Sequence, residues 1–153
     1  MTILALDPGT HCGWCLRHDR DRLDSGVFDL KPRRFEGGGM RWVYLRRFLR
    51  PLLTDPVPSL VVFEEVRRHM GVDAAHIYGG IIAVIQEECE AAGIPYTALP
   101  VATVKKFATG RGGANKEAMM AAAKARWGVP FEDDNEADAR WIAECAAAQA
   151  EAA

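Results

Sequence analysis

The chain has 153 residues, of which 49% are apolar and 26% charged, and its formal net charge is -2. This length predicts a single domain over residues 1–153 with a core of its own. The near-neutral charge does not indicate a nucleic-acid-binding protein, although such a total can hide a basic face beside an acidic pocket. The sequence has no apolar run long enough for a membrane span and no signal-peptide pattern, so we expect a cytoplasmic protein without a membrane partner.

Three short strands are predicted at the beginning of the chain. Four apolar or small residues, 3–6, lead into Asp7 and stop at Pro8-Gly9, which is typical of a buried strand that ends in a carboxylate. Two further runs, Cys12–Leu16 and Leu23–Leu30, are separated by a polar segment. We expect an antiparallel meander.

Helices and strands alternate through the rest of the chain. Apolar spacing and Gly or Pro breaks predict, in order, a helix Met40–Leu53, a strand Leu60–Phe63 that runs into Glu64-Glu65, a helix Gly71–Ala92 closed by Gly93, a strand Tyr96–Leu99, and helices Pro100–Thr109, Ala114–Trp127 and Asn135–Ala150. This order predicts an α/β fold with a five-stranded mixed sheet, in which strands four and five run parallel to strand one.

Acidic residues stand at the points where these elements would meet. Asp7 and Glu64 each end a buried strand, so parallel neighbours would bring both to one sheet edge. In the last helix, Asp134 and Asp138 share a stripe with the apolar Trp141 and are expected to face the protein body. We interpret Asp133 and Glu136 instead as residues that cap the helix or favour its dipole.

Carboxylates gathered in this way would raise one another's pKa unless a cation compensated them. Oxygen ligands favour Mg²⁺, with Mn²⁺ as a substitute, over zinc. Two such ions about 3.5–4 Å apart could activate water for phosphodiester hydrolysis.

Several short motifs, in this order, resemble those of the RuvC-type Holliday junction resolvases, which have a ribonuclease H-like fold. The matching stretches are Asp7-Pro8-Gly9 followed by Gly13, Phe63-Glu64-Glu65-Val66, Val104-Lys105, Gly110-Arg111-Gly112-Gly113-Ala114-Asn115-Lys116 and Glu136-Ala137-Asp138-Ala139. The resemblance implies a homodimeric, Mg²⁺-dependent endonuclease that cuts four-way DNA junctions by paired nicking.

The resemblance also implies site residues. Asp7, Glu64 and Asp138 match the family's metal-binding acids, and Lys105 and Lys116 match basic residues near the scissile phosphate. The family's remaining acid falls on Asn135 in this chain, and Asp134 is the best substitute as fourth ligand.

A second departure follows Glu64, where the family's aromatic residue is replaced by Arg67, Arg68 and His69. A relaxed, virus-type activity on forks or flaps would fit this change, in a bacterial or phage-infected cell.

Basic residues cluster between positions 31 and 50, which hold seven of the nineteen Lys and Arg against one acid, Glu36. Together with Arg67, Arg68, His69, Lys105, Lys106, Arg111 and Lys116, they predict a DNA-binding surface. A solvated face is the alternative for the cluster. The triple glycine 37–39 fits either a close backbone approach or a flexible connector.

The two cysteines of β-strand two do not predict a redox or metal site. Cys12-Gly13-Trp14-Cys15 resembles a redox or zinc motif, but residues i and i+3 of a strand face opposite ways, so buried thiols are expected.

Two other classes of protein share parts of the pattern. Asp-x-Gly-Thr also occurs in actin-like ATPases, which need a longer chain. A non-cleaving DNA-binding protein of the same fold remains an alternative because of Asn135. The helix Gly71–Ala92, with Tyr78 and its isoleucine stripe, is either a dimer interface or core.

Overall fold

The computed structural model describes residues 1–131 and 133–153. Within this part, one sheet is formed by β1 (Ile3–Asp7), β2 (His11–Arg17), β3 (Leu23–Asp29), β4 (Leu60–Glu65) and β5 (Tyr96–Pro100). The strand order is β3-β2-β1-β4-β5. The first three strands pair antiparallel, whereas β1–β4 and β4–β5 pair in parallel. The predicted mixed sheet is therefore confirmed.

The described helices are α1 (Met40–Leu52), α2 (Val72–Ala92), α3 (Val101–Thr109), α4 (Lys116–Trp127) and α5 (Asp134–Ala152). The predicted start of α4 at Ala114 is wrong because Asn115 is its N-cap, with Oδ1 accepting from the Ala118 N–H at 2.8 Å. Gly93 ends α2 in the left-handed conformation, at φ 68°, as expected of a C-terminal glycine.

The sheet lies between two helical layers, because successive side chains of a strand point to opposite faces. Helices α3, α4 and α5 cover one face, and α1 and α2 cover the other. The α5 face buries Ile3, Ala5, Cys15, Val62, Trp141, Ile142 and Cys145. The α1–α2 face buries Leu4, Leu6, Cys12, Phe63, Leu45, Leu49, Ile81 and Ile85.

This alternation fixes the direction of the strand-end acids. Asp7 continues the row of Ile3 and Ala5, and Glu64 continues from Val62, so both belong to the α5 face. Glu65, one residue later, belongs to the opposite face. The same rule separates Cys12 from Cys15, which lie in different cores, and all four cysteines are buried and free.

The isoleucine stripe of α2 packs against the core. Ile81 and Ile85 are fully buried in the layer shared with α1, whereas Ile77 and Ile82 are half-buried. A dimer surface on this helix stays a prediction. Trp42 of α1 packs so closely on α2 that a Cβ at Gly80 would lie 2.3 Å from its ring. Among the residues that the structure describes, no helix has the length and apolarity that crossing a bilayer requires.

Candidate active site

Asp7 and Glu64 leave the sheet side by side. In the parallel register of β1 and β4, Leu6 is opposite Phe63, so the next residues on the two strands are these two acids. Asp7 is only 9% exposed, and the neighbouring Glu64 carboxylate repels its charge. The predicted meeting of the two carboxyl groups at one edge is thus observed.

Helix α5 brings two more acids to this edge. Its N-cap is Asp133, as predicted, with Oδ1 accepting from the N–H groups of Asn135 at 2.8 Å and Glu136 at 3.3 Å. Asp134 follows in the first turn and Asp138 lies one turn further on the same side. Both carboxylates are close enough to act on the Asp7 carboxyl electrostatically.

Polar contacts tie α5 to the antiparallel strands. Glu136 is buried, and its Oε1 accepts from Ser25 Oγ at 2.7 Å. The Arg140 Nε–H donates to the same hydroxyl, also at 2.7 Å. Near the other end of β2, Arg17 Nε lies 3.0 Å from Glu144 Oε1. Glu136 thus lies in the first turn of α5, as the dipole interpretation expects, and it also bonds the helix to β3.

Gly13 permits the approach of α5. It is opposite Asp7 in β2, and a Cβ at this position would lie 1.9 Å from the Asn135 carbonyl oxygen. Any side chain here would push the first turn of α5 off the sheet. The sequence includes Gly13 among its motifs but contains no local sign of this contact, since Asn135 is far away along the chain.

The electrostatics of the acids are unfavourable in the absence of a cation. Burial, followed by repulsion from Glu64, Asp138 and Asp134, raises the pKa of Asp7 well above its ordinary value. Burial also raises the pKa of Glu64, against the opposing effect of Lys105. For Asp138, burial and the nearby Glu64 and Asp134 raise the pKa from 3.8 to about 7.

Two lysines border the acids. Lys116, at the start of α4, places Nζ 2.8 Å from Asp134 Oδ2, and this contact raises the pKa of the lysine. Lys105, half-buried on α3, lowers the pKa of both Glu64 and Asp138. The two lysines that the sequence predicted for this region are thus close to the acids.

Asp134 and Asn135 lie in different surroundings. The Asn135 Nδ2–H group points to the capping carboxylate, with Asp133 Oδ2 at 3.3 Å, and its backbone lies against Gly13. Asp134 instead interacts with Lys116 and, electrostatically, with Asp138.

The donor set suits a hard divalent cation, because it consists of carboxylate oxygens that repel one another at neutral pH. Over residues 1–131 and 133–153, however, no three or more Asp, Glu, His or Cys side chains are arranged closely enough to hold a metal ion. The acids are neighbours, and Lys116 pairs with one of them, so they fit a metal by their chemistry and charge.

Tyr78 of α2 holds the end of β4, a role that the sequence did not reveal. Its hydroxyl donates to the Glu64 carbonyl oxygen at 2.9 Å and accepts from the Val66 N–H at 3.0 Å. The ring of His69 packs against Tyr78 at 4.8 Å, and its Nε2 lies 3.1 Å from the Val66 carbonyl oxygen. These contacts fix the backbone that carries Glu64.

The other predicted DNA-binding residues lie around this edge. Arg67 and Arg68 follow β4 and are exposed, with Arg67 Nη2 3.3 Å from Glu65 Oε1. Lys106 is exposed on α3, and Arg111 is exposed in the turn that follows it.

The basic cluster of residues 31–50 is only partly a free surface. Arg46 and Arg50 of α1 form ion pairs with Glu88 of α2, and Arg46 also pairs with Glu87. The Glu88 side chain is buried, so these arginines join the two helices, although the Arg50 side chain stays 65% exposed. That the cluster contacts phosphates stays a prediction.

Comparison with known proteins was made by sequence and by structure. No family model matches the sequence. The structure matches a T. thermophilus RuvC solved in complex with a Holliday junction substrate over 99% of this chain and 96% of that one, with a TM-score of 0.82 and 23% identity. The chain has the fold of RuvC.

Two further structures agree. A second Thermus thermophilus RuvC structure matches with a TM-score of 0.79 at 24% identity, over 99% of this chain and 96% of that chain. The yeast mitochondrial Holliday junction resolvase matches with a TM-score of 0.63 at 15% identity, over 94% of this chain and 76% of that chain. The predicted ribonuclease H-like RuvC fold is confirmed, whereas the virus-type affinity stays a prediction.

Proposed function

We propose that this protein is a metal-dependent, structure-selective DNA endonuclease that resolves four-way junctions. The observation that carries the proposal is the convergence of Asp7, Glu64 and Asp138 at one edge of a sheet with the RuvC fold. Repelling carboxylates bordered by lysines are the arrangement expected where a divalent cation and a phosphate meet.

Asp7, Glu64, Asp138 and Asp134 would hold Mg²⁺, or Mn²⁺ in its place, most simply as two ions. When bound, the metal supplies Lewis-acid activation of water and stabilisation of phosphate charge. The buried position of Asp7 keeps the surrounding dielectric low, which strengthens every charge interaction at the site. Tyr78 keeps the Glu64 backbone in place throughout.

Lys105 and Lys116 would contribute positive charge beside the phosphate. Lys116 pairs with Asp134, which places its ammonium group beside the acids that would hold the metal. A lysine acts here as a point charge that favours the charge developing on the phosphate oxygens.

Substrate binding would use the exposed cations around the acidic edge. Arg67, Arg68, Lys106 and Arg111 are placed to contact phosphates on the arms of a branched DNA. A four-way junction needs two symmetric cuts, so the active form is proposed to be a homodimer that offers two such sites. We place it in the cytoplasm of a bacterial or phage-infected cell.

A relaxed fork or flap nuclease is the second candidate. The exposed Arg67 and Arg68 directly after Glu64 favour it, since guanidinium groups bind phosphates of any branched DNA without selecting one geometry.

The test is cleavage of an end-labelled synthetic four-way junction beside a replication fork and a linear duplex, each with Mg²⁺ and with chelator. Symmetric paired nicks confined to the junction and lost with chelator would support a resolvase. Equal cutting of junction and fork would support the relaxed nuclease. Asp7→Asn should bind the junction without cutting it, and binding without cutting by the wild type would overturn the nuclease proposal.

A further inference from the structure

The loop between β3 and α1 presents an aromatic side chain to solvent. Phe35 is 92% exposed and occupies the tip of a tight turn, residues 33–36, which we call the Phe35 turn. The Glu36 N–H closes this turn by donating to the Arg33 carbonyl oxygen at 3.0 Å. A single exposed apolar residue is common on proteins, so the case rests on how this one is held.

Glu36 stabilises the turn by two hydrogen-bond partners, one within the turn and one on α1. Its Oε1 accepts from the Arg33 N–H at 2.8 Å, and its carboxylate also accepts from the Tyr44 hydroxyl of α1. The turn is thus closed by reciprocal hydrogen bonds and anchored to a helix. Both contacts use the Glu36 carboxylate, and they hold the backbone of the turn while the Phe35 side chain stays exposed.

One arginine packs on the exposed ring, and two more cations lie on the same segment. The guanidinium carbon of Arg34 lies 5.3 Å from the centroid of the Phe35 ring, and that of Arg33 lies 5.8 Å from the centroid of Tyr44. Lys31 is exposed just before the turn. An exposed aromatic ring flanked by Lys and Arg is the combination that binds single-stranded nucleic acid, by stacking on bases and attracting phosphates.

The three glycines after the turn leave open surface beside it. A Cβ at Gly37, Gly38 or Gly39 would meet nothing within 4 Å, and none of these glycines has a positive φ. Neither packing nor backbone conformation within the chain therefore requires glycine there. A bare backbone does, however, allow a phosphate chain to approach closely.

Both ends of this loop are hydrogen-bonded to the turn that follows Asp7. The Leu30 N–H, before the loop, donates to the Thr10 carbonyl oxygen at 2.8 Å, and Arg41 Nη1, after it, donates to Thr10 Oγ1 at 3.1 Å. Thr10 belongs to the turn that follows Asp7. Both ends of the loop are thus fixed to the same short segment as the catalytic acid.

We propose that the Phe35 turn stacks on an unpaired or unstacked base at the branch of the DNA while glycines 37–39 admit the adjoining backbone. This inference rests on the proposed function, because it names the part of a branched DNA that one surface contacts. It gives the protein a means of distinguishing a branch from continuous duplex, in which every base is stacked and no face is free.

The test is equilibrium binding in chelator, which separates recognition from cleavage. Fluorescence anisotropy would compare a four-way junction, a duplex with a single-nucleotide bulge and a linear duplex. We expect Phe35→Ala to bind the junction and the bulge about tenfold more weakly and the linear duplex within about twofold of the wild type. Phe35→Trp should retain binding, because it keeps an aromatic face.

The matched control is Val57→Ala, which removes another exposed apolar side chain, 59% exposed, from the segment before β4 at the opposite end of the sheet. It should bind all three DNAs like the wild type. Gly38→Val should weaken junction binding without changing the melting temperature, since the side chain meets open space in the free protein.

A second readout is direct. The fluorescence of 2-aminopurine placed at the branch should change on binding of the wild type and should not change with Phe35→Ala. The inference is overturned if Phe35→Ala binds the junction and the bulge like the wild type, or loses the same factor on linear duplex. Failure of the wild type to cleave with Mg²⁺ would overturn the nuclease proposal alone, because these binding ratios are measured without metal.

Discussion

Asp7 and Glu64 lie side by side at the edge of the sheet, one residue beyond the paired Leu6 and Phe63. Burial and repulsion from Glu64 raise the pKa of Asp7, and burial raises the pKa of Glu64. A divalent cation bound by both carboxylates would offset this cost of gathering like charges.

The adjacent acids Glu64 and Glu65 form a matched pair for mutagenesis. Glu64→Gln should lower junction cleavage by about a thousandfold, because the side chain faces the acids of α5. Glu65→Gln should stay within a few-fold of the wild type, since its side chain belongs to the other face of the sheet. Initial cleavage rates with Mg²⁺ measure the effect of each variant. Equal losses would show that the sheet face on which a side chain lies does not decide which glutamate binds the metal.

Asp134 and Asn135 can be separated in the same way. Asp134→Asn should lower cleavage by about a hundredfold, because it removes a carboxylate that acts on Asp7 and Asp138. Asn135→Ala should retain most activity, because that side chain contacts only the capping Asp133 among its observed hydrogen-bond partners. Single-turnover rates on a pre-bound junction provide the comparison. Greater loss in Asn135→Ala would reassign the fourth position.

Gly13→Ala should displace the start of α5. The new methyl group would overlap the Asn135 carbonyl, so we expect a loss of about 1–3 kcal/mol in the free energy of unfolding together with strongly reduced cleavage. Gly9→Ala is the control, because a Cβ there meets its nearest neighbour at an ordinary 3.8 Å. Urea denaturation followed by circular dichroism measures the stability, and an unchanged midpoint for Gly13→Ala would contradict the close approach.

The stability of the metal-free protein should fall as the pH rises. The pKa of Asp138 is raised to about 7 in the folded state, against 3.8 ordinarily, so folding favours its protonated form. This contribution is complete below about pH 4 and is lost as the pH passes through about 7. The protein in chelator should melt about 5 °C lower near pH 8 than near pH 6. Asp138→Asn should flatten this dependence, and an equal slope in the variant would contradict the assignment.

Addition of Mg²⁺ near pH 8 should restore stability. A cation that binds only the folded protein contributes about 2.7 kcal/mol at a hundred times its dissociation constant. Scanning fluorimetry should show a higher melting temperature for the wild type with Mg²⁺ or Mn²⁺ and almost none of this rise for Asp7→Asn. A similar rise in both proteins would place the cation elsewhere.

The sequence predicts the parts of the site that depend on local pattern. Asp7 and Glu64 end runs of apolar residues, and Asp138 shares a helical face with Trp141, so their shared location follows from strand and helix periodicity. The preference for Glu64 over Glu65 also needs the direction of each strand residue, which the fold provides.

Contacts between distant segments could not be predicted. Gly13 lies against the backbone of α5, and the Tyr78 hydroxyl bonds to the end of β4. Arg50 forms an ion pair with a buried glutamate on α2. In each case the residue type is compatible with many environments, and only the packing of two elements selects one. The same reason explains why two arginines of the basic cluster form ion pairs that join two helices.

The four buried thiols make this protein convenient for site-specific labelling. Burial raises the pKa of both Cys12 and Cys15 to about 12 and that of Cys89 to about 11, and it also raises the pKa of Cys145. Near neutral pH these groups stay protonated and shielded from maleimide reagents. A cysteine introduced at an exposed position such as Val57 would therefore react selectively in the otherwise native chain. A fluorophore attached there could report the distance to a labelled DNA arm.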